Sequence, residues 1–183
     1  MVSTAATASS DVSSAFEVSQ FKCLSDNYGF LLHDKLTGAT AAIDSPSSTE
    51  YLDTLQREGW TLTHILNTHH HADHTGANLV LKQSFDDVTI YGPIREQAKI
   101  PGIDKPVGAG DTIEIGSFTA HVLDVGGHTK GHVAYYFPEQ KTVFVGDSLF
   151  ALGCGKMFEG TPQQFWKSLV TLRDLPDDTT VYW

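Results

Sequence analysis

Short blocks in which apolar residues run together or alternate with polar ones set the pattern of this chain. Residues 16–24 and 28–33 read as paired strands, and Ala39 to Ile43 as a third that ends at Asp44 after the turn Asp34-Lys-Leu-Thr-Gly38. Pro46-Ser-Ser-Thr-Glu50 supplies capping residues for a helix over Tyr51 to Glu58, with Gly59 as its stop. A buried strand over Leu62 to Asn67 follows, then a polar loop, then a helix over Thr75 to Gln83. Val88 to Tyr91 is a short strand, and a loop rich in Gly and Pro runs on to Gly110. Thr112–Ile115 and Ser117–Asp124 alternate as a hairpin around Gly116. His132–Phe137 and Thr142–Val145 form another pair. Thr161-Pro162 opens a helix to about Arg173, with proline in the favoured first turn, and Thr179 to Trp183 begins a strand. This order predicts two mixed sheets packed together with helices outside, in one α/β domain over residues 16–183 with no internal linker or short-period repeat.

Composition narrows the function more than the fold. A length of 183 residues, 40% of them hydrophobic and 19% charged, suits one domain with a real core. The net charge of −10 argues against nucleic acid as a main partner, since no basic patch offsets repulsion from phosphates. No apolar run approaches the roughly 18 residues needed to span a membrane. Met1 to Ala15, mostly Ser, Thr, Ala and Val, reads as a flexible tail; it lacks the apolar stretch of a secretory signal and the Arg of a mitochondrial transit peptide. Two cysteines, Cys23 and Cys154, are too few for a disulfide framework. A cytoplasmic location is expected, with a mitochondrial one as the alternative.

Candidate chemistry concentrates in Thr68-His69-His70-His71-Ala72-Asp73-His74. Four ligand-type side chains, His69, His71, Asp73 and His74, fall within six residues, on a strand-to-helix loop where α/β proteins place their ligands. An incidental histidine-rich surface loop or a tag would not have these flanks. His69 and His71 are two apart and point the same way from extended backbone, so His70 points elsewhere. Asp73 and His74 are adjacent and diverge, which suits two metals better than one. A second cluster, Gly126-Gly-His128-Thr-Lys-Gly-His132, follows a strand end; either histidine can be a ligand, and one of them, His132 foremost, can equally be a satisfied structural histidine. Asp147 stands at the tip of the apolar run Val143-Phe-Val-Gly-Asp147, where its two oxygens can bridge two metals or cap the next turn. Asp44, at a strand end, either orients an imidazole or caps a turn. Cys154, in a Gly-Cys-Gly loop, reads as a small packed residue rather than a ligand.

These elements together resemble the metallo-β-lactamase superfamily, and within it glyoxalase II, the hydroxyacylglutathione hydrolases. The residues that carry the resemblance are THHHADHTGAN at 68–78, GHTKGH at 127–132, GDSLF at 146–150 and GCGKMFEGT at 153–161. The first motif marks the superfamily, whereas the last is particular to glyoxalase II; the likeness covers about residues 16–183. It implies an αββα sandwich with two divalent metals, zinc foremost and iron or manganese as alternatives. His69, His71 and His128 would bind the first metal, Asp73 and His74 the second, and Asp147 both, with Asp73 and Asp147 closest to the catalytic chemistry. Lys156 matches a residue that contacts glutathione, and Phe158 stands where some members have Tyr. The implied reaction is hydrolysis of S-D-lactoylglutathione to D-lactate and glutathione, by a monomer acting on a small thioester.

Members of this family continue past the last strand with Gly-His-Glu-Tyr, whose His completes the second metal's ligands, and then with a helical domain. This sequence ends at Val181-Tyr182-Trp183. The expectation is a fragment whose second metal keeps only Asp73, His74 and Asp147, bound more weakly than the first, with impaired hydrolysis. Two alternatives stand beside this reading: another enzyme of the same fold, such as a one-iron persulfide dioxygenase, a lactonase or a β-lactamase, and a non-catalytic metal-binding fragment.

Overall fold

The computed structural model describes residues 15–183, so the expected tail, Ala15 apart, lies outside the described residues. One sheet has the order β1 (Phe16–Cys23), β2 (Asn27–Asp34), β3 (Thr40–Ile43), β4 (His64–Leu66), β5 (Thr89–Pro93) and β6 (Lys105–Val107). Its first three strands are antiparallel and its last four parallel. The other sheet comprises β7 (Thr112–Ile115), β8 (Phe118–Asp124), β9 (Val133–Phe137), β10 (Thr142–Phe144) and β11 (Thr180–Tyr182), antiparallel except for the β10–β11 pair. Helices α1 (Ser48–Glu58), α2 (Ala72–Thr75) and α3 (Asn78–Ser84) belong to the first sheet's connections, and α4 (Pro162–Arg173) joins β10 to β11.

Period-two alternation sorts the strand residues between two buried faces. Phe30 and Leu32 of β2, Ala41 and Ile43 of β3 and Leu66 of β4 face the other sheet, where they meet Ile113, Ile115, Phe118, Ala120, Val122 and Tyr135. Their neighbours Leu31, Ala42 and Ile65 turn the other way, onto Tyr51 and Leu55 of α1 and Leu81 of α3. On the far side of the second sheet, Ala134 and Val143 pack with Leu172 of α4. The result is a four-layer αββα sandwich. The middle strands, covered on both faces, read as apolar runs, whereas β7 and β8, open to solvent on one face, alternate.

Two features depart from the pattern expected from sequence. The helix expected over Thr75–Gln83 is broken into α2 and α3. The His74 carbonyl, which would continue the helical ladder, instead accepts from the Ser45 N–H (2.8 Å) and the Asn67 amide (2.9 Å), and the Ala77 N–H donates to the Ser45 carbonyl. The Gly- and Pro-rich segment expected to be loop holds a 3₁₀ turn (Ile94–Lys99) and the edge strand β6, where Pro106 costs no ladder bond needed from outside. The start of α4 follows expectation: Thr161 accepts from the Gln164 N–H (3.2 Å), with Pro162 in the first turn.

Asp34 ties the sheets together. Its fully buried carboxylate accepts from Leu36 N–H (2.9 Å) and the Thr37 hydroxyl (2.6 Å) in the β2–β3 turn, and from Ser117 N–H (2.7 Å) in the β7–β8 turn. Burial opposes ionisation, but the Thr37, Ser117 and Leu36 donors outweigh it and hold the carboxyl below its usual range. This group therefore stabilises the fold above its unfolded pKa of about 3.9, and that stability is lost as pH falls through the depressed folded value. Asp34→Ala should cost about 2–3 kcal/mol near neutral pH, with the deficit shrinking in acid, as checked by urea denaturation at pH 7 and pH 3.

Candidate metal centre

The site lies at one edge of the sandwich, where loops from both sheets meet. The first sheet contributes Asp44 from the end of β3 and the β4–α2 loop with its histidines. The second contributes His128 from the β8–β9 loop and Asp147 from the turn after β10.

Asp44 organises the first half. It has φ +58, an uncommon backbone for a residue other than Gly or Asn, and is 6% exposed. Its Oδ1 accepts from Thr68 N–H (2.7 Å), and its Oδ2 accepts from the Thr68 hydroxyl (2.8 Å) and from His74 Nδ1 (2.8 Å). Since the Thr68 hydroxyl donates to Asp44, it accepts from His69 Nδ1 (3.0 Å). His128 Nδ1 donates to the Lys156 carbonyl (2.7 Å). In each of these three imidazoles Nδ1–H is therefore committed; Nε2 of His69 and of His128 presents a lone pair to the site, and Nε2 of His74 faces Asp147.

Those lone pairs converge. His71 Nδ1 lies 3.1 Å from His69 Nε2 and 3.0 Å from His128 Nε2. A proton on His71 Nδ1 can serve only one of these two acceptors, whereas a cation serves all three nitrogens. Burial first, and the neighbouring histidines after it, push the His69 pKa well down; the same causes lower His71, so both are neutral imidazoles, the form that binds metal. The Asp147 oxygens divide between two half-sites: Oδ2 lies 3.3 Å from His128 Nε2, and Oδ1 lies 3.1 Å from His74 Nε2. Asp73 Oδ2 is 3.5 Å from the same His74 nitrogen, and half of the Asp73 side chain is exposed. Burial disfavours a charged His74, but the Asp44 and Asp147 carboxylates outweigh it and raise the pKa to about 10. The Nε2 proton thus held between His74 and Asp147 stands where a cation would. His69, His71 and His128 form one set able to hold a metal ion, and His69, His74 and Asp147 another. The donor chemistry fits two divalent metals sharing Asp147.

His132 is not part of either set. It is fully buried; its Nε2 accepts from the Asp147 N–H (3.1 Å), its Nδ1 faces the Val133 carbonyl (3.1 Å), and its ring stacks on His69 at 4.5 Å. Burial pushes it down to about 3, so it remains a neutral support for the Asp147 turn. His70 points away from the site, with Nδ1 2.8 Å from Glu96. Cys154 is exposed and takes no part.

The 153–161 run closes the rim. Phe158 and Glu159 N–H donate to the His128 carbonyl (3.1 and 3.3 Å), and Gly155 N–H to the Asp147 carbonyl (3.0 Å). A Cβ on Gly155 would overlap that carbonyl oxygen and crowd His128 Nδ1, which accounts for the second glycine of Gly-Cys-Gly. Phe158 stands edge-on to His71 (5.6 Å) and His128 (5.3 Å), and Lys156 Nζ lies 5.0 Å over its ring. Sequence reasoning missed Thr68, Asn67 and Glu96. Thr68 and Asn67 lay within or beside the quoted motif, but their roles depend on Asp44 and Asn78, distant in sequence.

A four-layer αββα sandwich whose sheet-edge loops gather histidines and aspartates at a two-part metal centre defines a class of metal-dependent enzymes. The metallo-beta-lactamase superfamily pattern matches residues 36–182, and the chain belongs to that superfamily. It is 54% identical over 168 residues to a hydroxyacylglutathione hydrolase of Rhizobium meliloti (strain 1021), a match covering 92% of this chain and 65% of the relative. The chain thus spans about two thirds of the length of that relative. Among solved structures it resembles ETHE1 from Myxococcus xanthus, with 31% identity and TM-score 0.80 over 91% of this chain and 73% of that one. It also resembles TTHA1623, solved in a di-iron-bound form, with 28% identity and TM-score 0.73 over 91% and 90% of the two chains.

His71→Ala removes the nitrogen that faces both other imidazoles, whereas His70→Ala removes none of the converging donors. Metal per chain after purification, measured by plasma emission, should fall clearly for His71→Ala and stay near the parent for His70→Ala.

Proposed function

We propose that this protein is a metal-dependent thioester hydrolase that converts S-D-lactoylglutathione and water to D-lactate and glutathione. The observation that carries the reading is the split Asp147 carboxylate, one oxygen toward the His69–His71–His128 group and the other toward His74. The hydroxyacylglutathione hydrolase relative supplies the substrate class. In this reading His69, His71 and His128 hold one metal, Asp73 and His74 the other, and Asp147 both. Zinc is the proposed metal, with iron or manganese compatible with the same donors.

Divalent metals bound here would lower the pKa of a water toward neutrality and polarise the thioester carbonyl. The protein's own contribution is orientation. Asp44 and Thr68 fix the tautomers of His74 and His69, and the Lys156 carbonyl fixes that of His128. Asp73, at the open side, accepts the proton of the attacking water as the C–O bond forms. The C–S bond then breaks, and the sulfur leaves as a thiolate that needs no strong general acid. Phe158 forms an apolar wall over the imidazoles without a hydroxyl of its own. The Lys156 ammonium, 5.0 Å over the Phe158 ring, would pair with a glutathione carboxylate. We take residues 16–183 as one catalytic domain, since both sheets supply site residues, and its location as cytoplasmic, with two free thiols; among the described residues no helix is long and apolar enough to cross a membrane.

A one-iron dioxygenase acting on glutathione persulfide would leave His74 and Asp73 without a task, and the pairing of His74 with Asp147 argues against it. Removing metal with a chelator should abolish thioester turnover, and adding zinc back should restore it. Turnover that persists without metal contradicts the proposal, and oxygen consumption with glutathione persulfide in place of hydrolysis would favour the dioxygenase. Lys156→Ala should raise KM roughly tenfold with little change in kcat, whereas Asp147→Asn should lower kcat.

A further inference from the structure

Glu96 lies in the 3₁₀ turn after β5, 4% exposed, and is a charged residue that the reaction above does not use. Its Oε2 accepts from the backbone N–H of His70 (2.9 Å) and faces His70 Nδ1 (2.8 Å). Its Oε1 accepts from the backbone N–H of Gly131 (2.8 Å). These two amides belong to different loops, from different sheets. One lies between His69 and His71; the other follows His128 by three residues. We propose that Glu96 is a positioning residue for the metal centre, a buried carboxylate that sets the separation of the His69–His71 loop from the His128 loop. The proposal rests on the reading of His69, His71 and His128 as metal ligands.

Three observations make the clamp specific. The His128 loop packs so tightly on the 3₁₀ turn that a Cβ on Gly131 would meet Glu96 Cγ at 2.7 Å and Arg95 Cβ at 2.9 Å, so the carboxylate reaches the Gly131 amide without slack. A second, outer tie runs parallel to it: Glu159 accepts from Lys130 N–H (3.1 Å) and pairs with Lys99 (3.2 Å), the last residue of the same 3₁₀ turn. Finally, His70, Glu96 and Glu159 have the composition of a metal site. However, the Lys99 ammonium lies 3.4 Å from His70 Nε2 and 3.2 Å from Glu159, and the Glu96 oxygens are already taken by N–H donors. The cluster carries its own cation and serves as a brace.

A carboxylate is needed because both ends must accept. Glu96→Gln leaves one acceptor oxygen, and its amide NH₂ then opposes an N–H donor on one of the two loops. Glu96→Asp keeps the charge but is one methylene too short to span both loops. The test uses the full chain and zinc alone, with affinity from chelator competition and ligand geometry from the visible spectrum of the cobalt-loaded protein. Glu96→Gln and Glu96→Asp should each bind zinc about 10–100-fold more weakly than the parent and shift the cobalt bands, with far-ultraviolet circular dichroism unchanged. His71→Ala runs alongside as the control for the ligands. If it loses affinity while both Glu96 variants match the parent in affinity and spectrum, the positioning role is wrong. A lowered melting temperature with parental affinity and spectrum would likewise overturn it, since that is what a merely structural carboxylate would give. If His71→Ala itself binds zinc like the parent, the ligand assignment fails and this proposal falls with it. Should Glu96→Gln not fold, Glu96→Asp alone decides by the same criteria.

Discussion

Much of this site depends on one buried anion. Asp44 ends a strand in the core, in a backbone conformation that disfavours most side chains, and its carboxylate must find donors or cost several kcal/mol. It finds them in the Thr68 amide, the Thr68 hydroxyl and the His74 ring. Each of these bonds fixes something else. The hydroxyl, once it donates to Asp44, can only accept from His69, and the His74 ring is turned so that its far nitrogen faces Asp147. A single carboxylate thereby determines which nitrogen of an imidazole faces the site in each half of the centre. Burial keeps His69 and His132 neutral, whereas the Asp44 and Asp147 carboxylates favour the charged form of His74.

The side chains that converge at the centre were legible in the sequence because most of them are neighbours in it. His69, His71, Asp73 and His74 fall within six positions, and the two-residue period of extended backbone already separated His70 from its neighbours. The two sheets were legible for the same reason: a face buried at every second residue writes itself into the chain. What could not be read were roles set by distant contacts. Asp44 was equally a cap or an orienting group until its placement 30 residues from His74 was seen. Glu96 sat in a stretch expected to be loop, and its two amide partners are 26 and 35 residues away. His132 and His128 occupy one motif and take different places: His128 Nε2 faces His71, whereas His132 Nε2 accepts from the Asp147 N–H.

Proteins with quite different names share the sandwich, and a fold of this kind hosts many reactions on one scaffold. The donor set alone does not choose among them. Beside the donors stands the 153–161 run, whose backbone wraps His128 and whose Phe158 and Lys156 form the rim. This loop is held down by backbone bonds to His128 and Asp147, so the shape of the rim and the position of His128 cannot vary independently.

The seam between the sheets has a consequence for how the molecule folds. His71 and His128 are 57 residues apart and arise from opposite sheets, so their nitrogens meet only after the two sheets have docked. Contacts of such separation form late, once the entropy of the long intervening loop has been surrendered. An ion captured by these nitrogens binds the docked chain and not the open one, and by mass action it shifts the equilibrium toward the closed sandwich. The centre is thus also a staple: metal held there would stabilise the folded chain as well as supply its chemistry.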